Sequence, residues 1–339
     1  MKALLCKEFT AVENLTWEDV PDPYPQDGEV IIEIKAAALN FPDYLIVQGL
    51  YQFKPPLPFS PGSEGAGIIS AIGKNVTEYK VGDRVSFMSG WGAFCEKIAV
   101  NQKQVIKIPD TITFDLAAAT QLAYGTSYHA LIQRGNLTEN DEILILGASG
   151  GVGLAALDIA KAFNTRVVAG ISSEEKAVVC KNYGADDVVI YGTEKLDTEG
   201  QKALSAQFKE KSQKGGYDII YDPIGDCYAE SALRTINWKG RYLVIGFAAG
   251  EIPRIPLNLA LLKGCAVIGV FWGSFTSHEP QQNVKNIIEI GKLIAIEKIN
   301  PFISKSIPME SAIDAIKMIG DRKIIGKVVL FIDLSLIHI

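Results

Sequence analysis

Two short stretches hold the residues on which chemistry could be built. In EILILGASGGVGLAALDIA, Ala148, Gly150 and Gly153 form an A-x-G-x-x-G pattern directly after an apolar run and ahead of an apolar-faced helical pattern. Absent side chains at such positions let backbone approach a dinucleotide pyrophosphate, whose charge sits at the helix N-terminus. A bare glycine motif is weak evidence, and the strand before it and helix after it supply the specificity. The next apolar run ends in VVAGISSEEK. An NAD site usually places Asp or Glu there to grip the ribose 2′-hydroxyl. Here Gly170, Ser172 and Ser173 are followed by Lys176, a set of neutral donors and one cation that suits the 2′-phosphate of NADPH. Glu174 and Glu175 fall in the first helical turn, where they face solvent and complement the helix dipole. The second stretch is PFSPGSEGAG, in which one carboxylate, Glu64, is enclosed by proline and glycine. A metal ligand, a proton carrier and a strut for buried backbone all remain open for it at this point.

These residues need elements to hold them. Up to about residue 140, β-rich runs such as GEVIIEIKAAAL and VGDRVSFMS sit between Gly/Pro turns, which suits a small barrel-like β domain. Beyond it, EILILGA, TRVVAGI, DDVVIY, YDIIYDP and GRYLVIGF lack polar alternation, as parallel strands covered on both faces do. Helical segments alternate with them, including EEKAVVCKNYG with Gly184 as its C-terminal stop. The fold class predicted is α/β, with a doubly wound parallel sheet. Near 265 the pattern returns to strand in CAVIGVFWGSF, followed by a long helix in QQNVKNIIEIGKLIAI and a final strand in GKVVLFI. A chain of 339 residues is long enough for two domains.

Composition narrows the partners. No apolar run approaches the roughly 18–20 residues that span a bilayer, and MKALLCKEFT becomes charged too early for a secretory signal and reads as an edge strand. Cys6, Cys95, Cys180, Cys227 and Cys265 show no C-x-x-C spacing, so neither a disulfide framework nor a zinc knuckle is indicated. Net charge is −6 without a basic block, which gives no footprint for nucleic acid or an anionic membrane. The expectation is a cytoplasmic protein with a small-molecule partner. His278 and His338 have no partner nearby in sequence.

Taken in order, AAALNFPDYLIVQGLY, PFSPGSEGAGIISAIG, VGDRV, AAATQLAYGTSYHAL, GASGGVGLAALDIAKAF, YDIIYDPIGD and GRYLVIGFAAGEIPRIPLN resemble the medium-chain dehydrogenase/reductase superfamily. Within it, the chain is similar to the zinc-independent NADPH:quinone oxidoreductases of the zeta-crystallin-like branch, over essentially its whole length. The resemblance implies a discontinuous GroES-like catalytic domain, 1–125 with 265–339, and a Rossmann NADPH-binding domain at 126–264, with the cofactor in the cleft between them. It also bears on Glu64. Alcohol-dehydrogenase members of the superfamily hold a catalytic zinc through Cys, His and commonly a second Cys, at positions that read Asn40, Ser63 and Leu122 here. The lobe for a structural zinc needs four close cysteines, and its region contains Cys95 alone. The implied enzyme is metal-free. Glu64 then becomes a strut to buried backbone or to an arginine, with direct proton movement as the lesser alternative.

Without a Lewis acid the acceptor must delocalise the charge that arrives with a hydride, as quinones and activated enones do. The resemblance assigns Asn40 to the nicotinamide side of the pocket, Asp43 to its support and Tyr51 to the substrate mouth. On residue type alone, Asn40 and Asp43 serve equally as caps of a helical turn at FPDYL, and Tyr51 as loop packing. Thr126, Ala148, Ser149, Gly150, Gly151, Val152, Gly153 and Phe247 are the implied cofactor contacts. Tyr191 and Arg322 join Ser172, Ser173 and Lys176 around the 2′-phosphate. His129 follows Thr126 at i+3 on one helix face and reads as cleft lining or packing. The implied activity is hydride transfer from NADPH to a quinone. An enoyl-thioester or enone reductase that protonates carbon through Tyr51 is the alternative, and an NADPH-binding protein without turnover is a third reading. CAVIGVFWGSF would pair with its copy in a homodimer.

Overall fold

The computed structural model describes residues 1–332, so His338 lies outside the described residues. Strand β1 (Lys2–Leu5) pairs antiparallel with β2 (Thr16–Asp19), which makes the N-terminal run an edge strand as its sequence predicts. Strand β3 (Glu29–Ala38) is the spine of the first unit. Its alternating apolar side chains Val30, Ile32 and Ile34 enter a core shared with Ile69, Val85, Phe87 and Phe94. Helix α1 (Phe41–Val47) follows it directly. Strand β4 (Glu64–Ile72) pairs antiparallel with β3, and β5 (Arg84–Met88), β6 (Lys97–Asn101) and β7 (Val105–Lys107) extend the sheet. A Cβ at Gly67 would collide with the Glu33 carbonyl oxygen, so β4 approaches β3 this closely only because Gly67 has no side chain. Glu64 opens β4, opposite Ala38 of β3.

Helix α2 (Phe114–Tyr128) runs into a π-helical turn at His129–Arg134, where the Gly135 N–H donates to the Ala130 carbonyl. Alternation then begins: β8 (Glu142–Leu146), α3 (Gly151–Ala162), β9 (Arg166–Ile171), α4 (Glu174–Asn182), β10 (Asp187–Ile190), α5 (Thr198–Lys211), β11 (Tyr217–Asp222), α6 (Asp226–Leu233), β12 (Ile236–Val244), α7 (Asn258–Lys263) and β13 (Ala266–Gly269). The six strands form one parallel sheet in the order β10-β9-β8-β11-β12-β13. Chain order reverses between β8 and β11, the switch point at whose carboxyl side ligands bind in open α/β sheets. CAVIGVFWGSF departs from the single strand its sequence predicts. Only Ala266–Gly269 is extended, and α8 (Trp272–His278) begins within the same apolar run, ahead of α9 (Pro280–Ala295). Periodicity cannot distinguish a short buried strand from a short buried helix in such a run.

The tail adds β14 (Ile303–Pro308), α10 (Ala312–Gly320) and β15 (Lys327–Phe331), and β15 pairs antiparallel with β3. The chain thus forms two compact units, Met1–Leu122 with Pro301 onward, and Ala123–Asn300. The second crossing falls at 300/301, later than the 264/265 expected from sequence, since β13 remains hydrogen-bonded to β12 in the parallel sheet.

Candidate active site

In the second unit, the loop after β8 is shaped by missing side chains. Gly147 has φ +56°, a left-handed conformation that favours glycine. A Cβ on Gly153 would collide with the Gly147 carbonyl oxygen and lie 2.7 Å from the Ala148 Cα, so this glycine lets α3 pack onto the turn. At Gly150 the nearest atom to a Cβ would be 3.4 Å away. Gly150 is also the N-cap of α3, and no side chain caps it. The first turn of this twelve-residue helix thus carries no side-chain cap, the arrangement that an anion site requires. Ala148 and Ser149 are buried, and the Ala148 N–H donates to the Gly170 carbonyl on β9. Ser127, beside Thr126 on α2, donates its hydroxyl to the Val152 carbonyl at 2.9 Å, which ties α2 to Gly151 and Val152 in the first turn of α3. Thr126 is itself buried.

At the end of β9 the Lys176 ammonium donates to Ser172 Oγ at 2.9 Å, and Ser173 is the N-cap of α4. A cation and two hydroxyls are thus gathered where the sequence predicts a 2′-phosphate. Tyr191 also props the glycine loop, because its hydroxyl accepts the Gly147 N–H at 3.1 Å. Burial pushes its phenol up, and it remains protonated. Phe247 packs so closely on Gly225 that a Cβ there would lie 2.8 Å from its ring. His129 stacks on Phe275 with ring centroids 3.8 Å apart and bonds Gln133 through Nδ1 at 2.6 Å, and burial lowers its basicity. That environment accounts for it as packing.

In the first unit, Asn40 is the N-cap residue of α1, and its backbone N–H donates to Asp43 Oδ2 at 2.8 Å, one half of a capping box. The Asn40 amide does something else. Its Nδ2 donates to Glu64 Oε1 at 2.9 Å and reaches Ser63 Oγ at 3.4 Å, while its Oδ1 accepts from Lys327 Nζ at 2.6 Å. Lys327 Nζ also donates to Glu64 Oε1 and to the Leu39 carbonyl, each at 2.9 Å, so all three ammonium hydrogens are used. Glu64 Oε2 accepts the backbone N–H of Leu122 at 2.8 Å. Glu64 is 0% and Lys327 4% exposed, which makes this a desolvated ion pair completed by neutral donors and acceptors. Glu64 is a strut to buried backbone through the Leu122 N–H, one of the two partners that the sequence suggests, and its cation is Lys327 at the start of β15 rather than an arginine. Lys327 is not legible in the sequence: GKVVLFI reads as an ordinary strand, and only pairing of β15 with β3 brings its first residue to Glu64.

Among the described residues no cation pairs directly with Asp43. Burial pushes its carboxyl up to about 7, opposed by the N–H groups of Asn40 and Gly62 and by the charge of Lys327. Two buried carboxyls share one ammonium, and Glu64 holds the direct contact. Tyr51 is half-buried, with its phenol raised by burial and by the Asp43 charge. It stands edge-on to Phe53 at 4.9 Å, and Phe53 continues to Trp91 at 6.0 Å, so a lip of three aromatic rings forms beside α1. Arg322 is exposed on the turn after α10, with φ +57°.

Zinc does not fit these residues. The amide oxygen of Asn40 already faces an ammonium, Ser63 Oγ faces the Asn40 amide N–H group, and Leu122 contributes a donor, whereas Zn²⁺ needs three or four converging lone pairs. Among the described residues no group of three His, Cys, Asp or Glu could hold a metal ion.

A parallel sheet in 3-2-1-4-5-6 order with an open glycine loop defines a Rossmann-type, dinucleotide-binding class of fold. A family model for the alcohol dehydrogenase GroES-like domain matches residues 26–110, and one for zinc-binding dehydrogenases matches 151–289. Quinone oxidoreductase-like protein 2 of Mus musculus is 33% identical over 97% of this chain and 91% of its own. The Homo sapiens quinone oxidoreductase is 31% identical over 93% of this chain and 92% of its own. The Escherichia coli quinone oxidoreductase, solved in complex with NADPH, superposes with a TM-score of 0.89 at 26% identity, covering 98% of this chain and 100% of that one. The chain belongs to the quinone oxidoreductase family of the medium-chain dehydrogenase/reductase superfamily.

Proposed function

We propose that the chain is an NADPH-dependent reductase that passes hydride to quinones or related conjugated carbonyls without a bound metal. The observation that carries this reading is the Lys327–Glu64–Asn40 brace across the positions where zinc-dependent relatives place ligands. With no Lewis acid to stabilise an alkoxide, the favoured acceptor is one that spreads the negative charge itself.

NADPH, when bound, supplies the hydride. The uncapped first turn of α3 would hold its pyrophosphate, and Ser172, Ser173 and Lys176 its 2′-phosphate. Lys327 fixes which way the Asn40 amide points, and Asp43 fixes its backbone. The Tyr51, Phe53 and Trp91 rings suit a flat, conjugated acceptor. Rapid mixing of the NADPH-loaded protein with a quinone, and separately with crotonyl-CoA, tests the reading through loss of NADPH absorbance. Fast oxidation by the quinone, retained in Tyr51→Phe, is the expected result. Oxidation by crotonyl-CoA alone, with kcat falling about 10²–10⁴-fold in Tyr51→Phe, would replace quinone reduction by protonation at carbon.

A homodimer is part of the same proposal. β13 is an edge strand with exposed Val267, and Phe271, Leu257, Leu261 and Leu262 are exposed beyond it. An unpaired edge that apolar invites pairing with its copy. Light scattering at micromolar concentration tests it, and a monomer would remove it. The proposed compartment is the cytoplasm, which suits five free cysteines. Among the described residues no helix is long and apolar enough to cross a membrane.

A further inference from the structure

Asp158 is a buried carboxylate to which the site described above gives no role. It lies on α3, about two turns beyond the glycine loop, and is 9% exposed. One of its oxygens, Oδ2, accepts two hydrogen bonds of 2.7 Å, from the Tyr124 hydroxyl and from the Asn300 backbone N–H. Those two partners lie 176 residues apart in sequence, and their places in the chain are what distinguish them. The chain passes between its two compact units at Leu122/Ala123 and at Asn300/Pro301. Tyr124 is therefore the second residue after one crossing, and Asn300 the last before the other. The Tyr183 hydroxyl, just beyond α4, donates to the Asn300 carbonyl at 3.1 Å, so both backbone groups of that residue are held. Burial pushes the Asp158 carboxyl up, and the bonds from Tyr124 and Asn300 oppose the shift. The Ser127 hydroxyl grips the Val152 carbonyl at the other end of α3, so the first crossing is tied to this helix at two heights.

We propose that Asp158 is a positioning residue that couples occupancy of the glycine loop to the local order of both chain crossings, an inference that rests on the cofactor reading above. A helix moves as a rigid element. Ordering its first turn around a pyrophosphate orders Asp158, and with it the two segments bonded to one carboxylate oxygen. A ligand that pays less to order a pre-tied segment binds tighter, so the coupling is also an affinity term. A carboxylate that only satisfied buried donors would lower stability on removal and leave the response to cofactor unchanged.

Hydrogen–deuterium exchange with and without NADPH tests this, alongside titration of NADPH by fluorescence. In the native protein NADPH should slow exchange in the glycine loop and also in residues 120–126 and 298–303. In Asp158→Ala the loop should remain protected by NADPH while the crossing segments lose that response, and affinity should fall about tenfold, within the range of ordinary coupling. Asp158→Asn keeps an oxygen that accepts both bonds and should restore most of the response. Tyr124→Phe removes one bond and should affect residues 120–126 more than 298–303. Equal NADPH protection of the crossings in Asp158→Ala and the native protein would overturn the proposal and leave the cofactor reading intact. Protection of the loop but not the crossings in the native protein would do the same. No NADPH protection even at the glycine loop would remove the cofactor reading, and the coupling with it.

Discussion

The glycine loop after β8 and the corner around Glu64 are both tight turns of small residues, yet they treat polar groups in opposite ways. At the loop, Gly150 opens α3 and offers the first turn of the helix no side-chain cap. At the corner, Glu64 accepts from Lys327, Asn40 and Leu122, and Lys327 uses all three of its hydrogens. Unsatisfied backbone at a helix start invites an anion, whereas a fully satisfied ion pair excludes one. The difference separates the proposed binding site from a structural joint where glycine content and burial do not. It also bears on metal chemistry, since the Lys327 ammonium occupies the centre of this joint and the converging lone pairs that Zn²⁺ needs are not assembled there.

The comparison breaks most visibly if the joint is opened. Lys327→Met should leave Glu64 charged and buried without its cation, at a cost of about 3–5 kcal/mol, read as a lower denaturation midpoint. A loss below about 1 kcal/mol would mean the pair is not desolvated.

Asp43 sharpens the contrast within the same corner, since it is buried without a direct cation. Its carboxyl stands near 7 in the folded chain against about 3.9 unfolded. Well below pH 4 both states hold the proton. As pH rises towards 7 the unfolded chain releases it first, so the stability this group contributes is lost over that window. Native protein should therefore lose about 3 kcal/mol relative to Asp43→Asn between pH 4 and pH 7. Parallel stability curves for the two proteins would remove the assignment.

At the binding site the effects should be smaller and selective. Lys176→Ala should weaken NADPH by about 1.5–2 kcal/mol, roughly tenfold to thirtyfold, and leave NADH nearly unchanged. Equal losses for both cofactors would place Lys176 away from the 2′-phosphate. The smallest expected effect is none at all: EDTA should leave quinone turnover unaltered, and zinc lost together with activity would return the corner to metal chemistry.

Much of this is legible in the sequence, and what is not has a physical pattern. The A-x-G-x-x-G stretch is readable because strand, turn and helix are contiguous and the ligand site is made by local backbone. Ser172 and Lys176 are readable for the same reason, as neighbours on one turn. α8 escapes a sequence reading because an eleven-residue apolar run carries no period that separates strand from helix. Lys327 escapes it because its partner lies 263 residues earlier. Asp158 reads as an ordinary polar position on an amphipathic helix, since its partners are 34 and 142 residues away.

The sequence by itself determined the parallel sheet, the open glycine loop, the cation at the β9 tip and the Asn, Ser and Leu at 40, 63 and 122, where the family resemblance implies zinc ligands in alcohol dehydrogenases. Each of these is written in local pattern or residue identity. Only the tertiary structure decided which charge Glu64 would meet, that Asp43 would be buried without a direct cation of its own, and that one oxygen of Asp158 would hold both chain crossings. Those outcomes depend on which distant residues are brought within hydrogen-bonding distance of one another. Strand pairing between β15 and β3 and the packing around α3 make that choice, and burial then turns proximity into energy, because an ionised group removed from water must find its partner there.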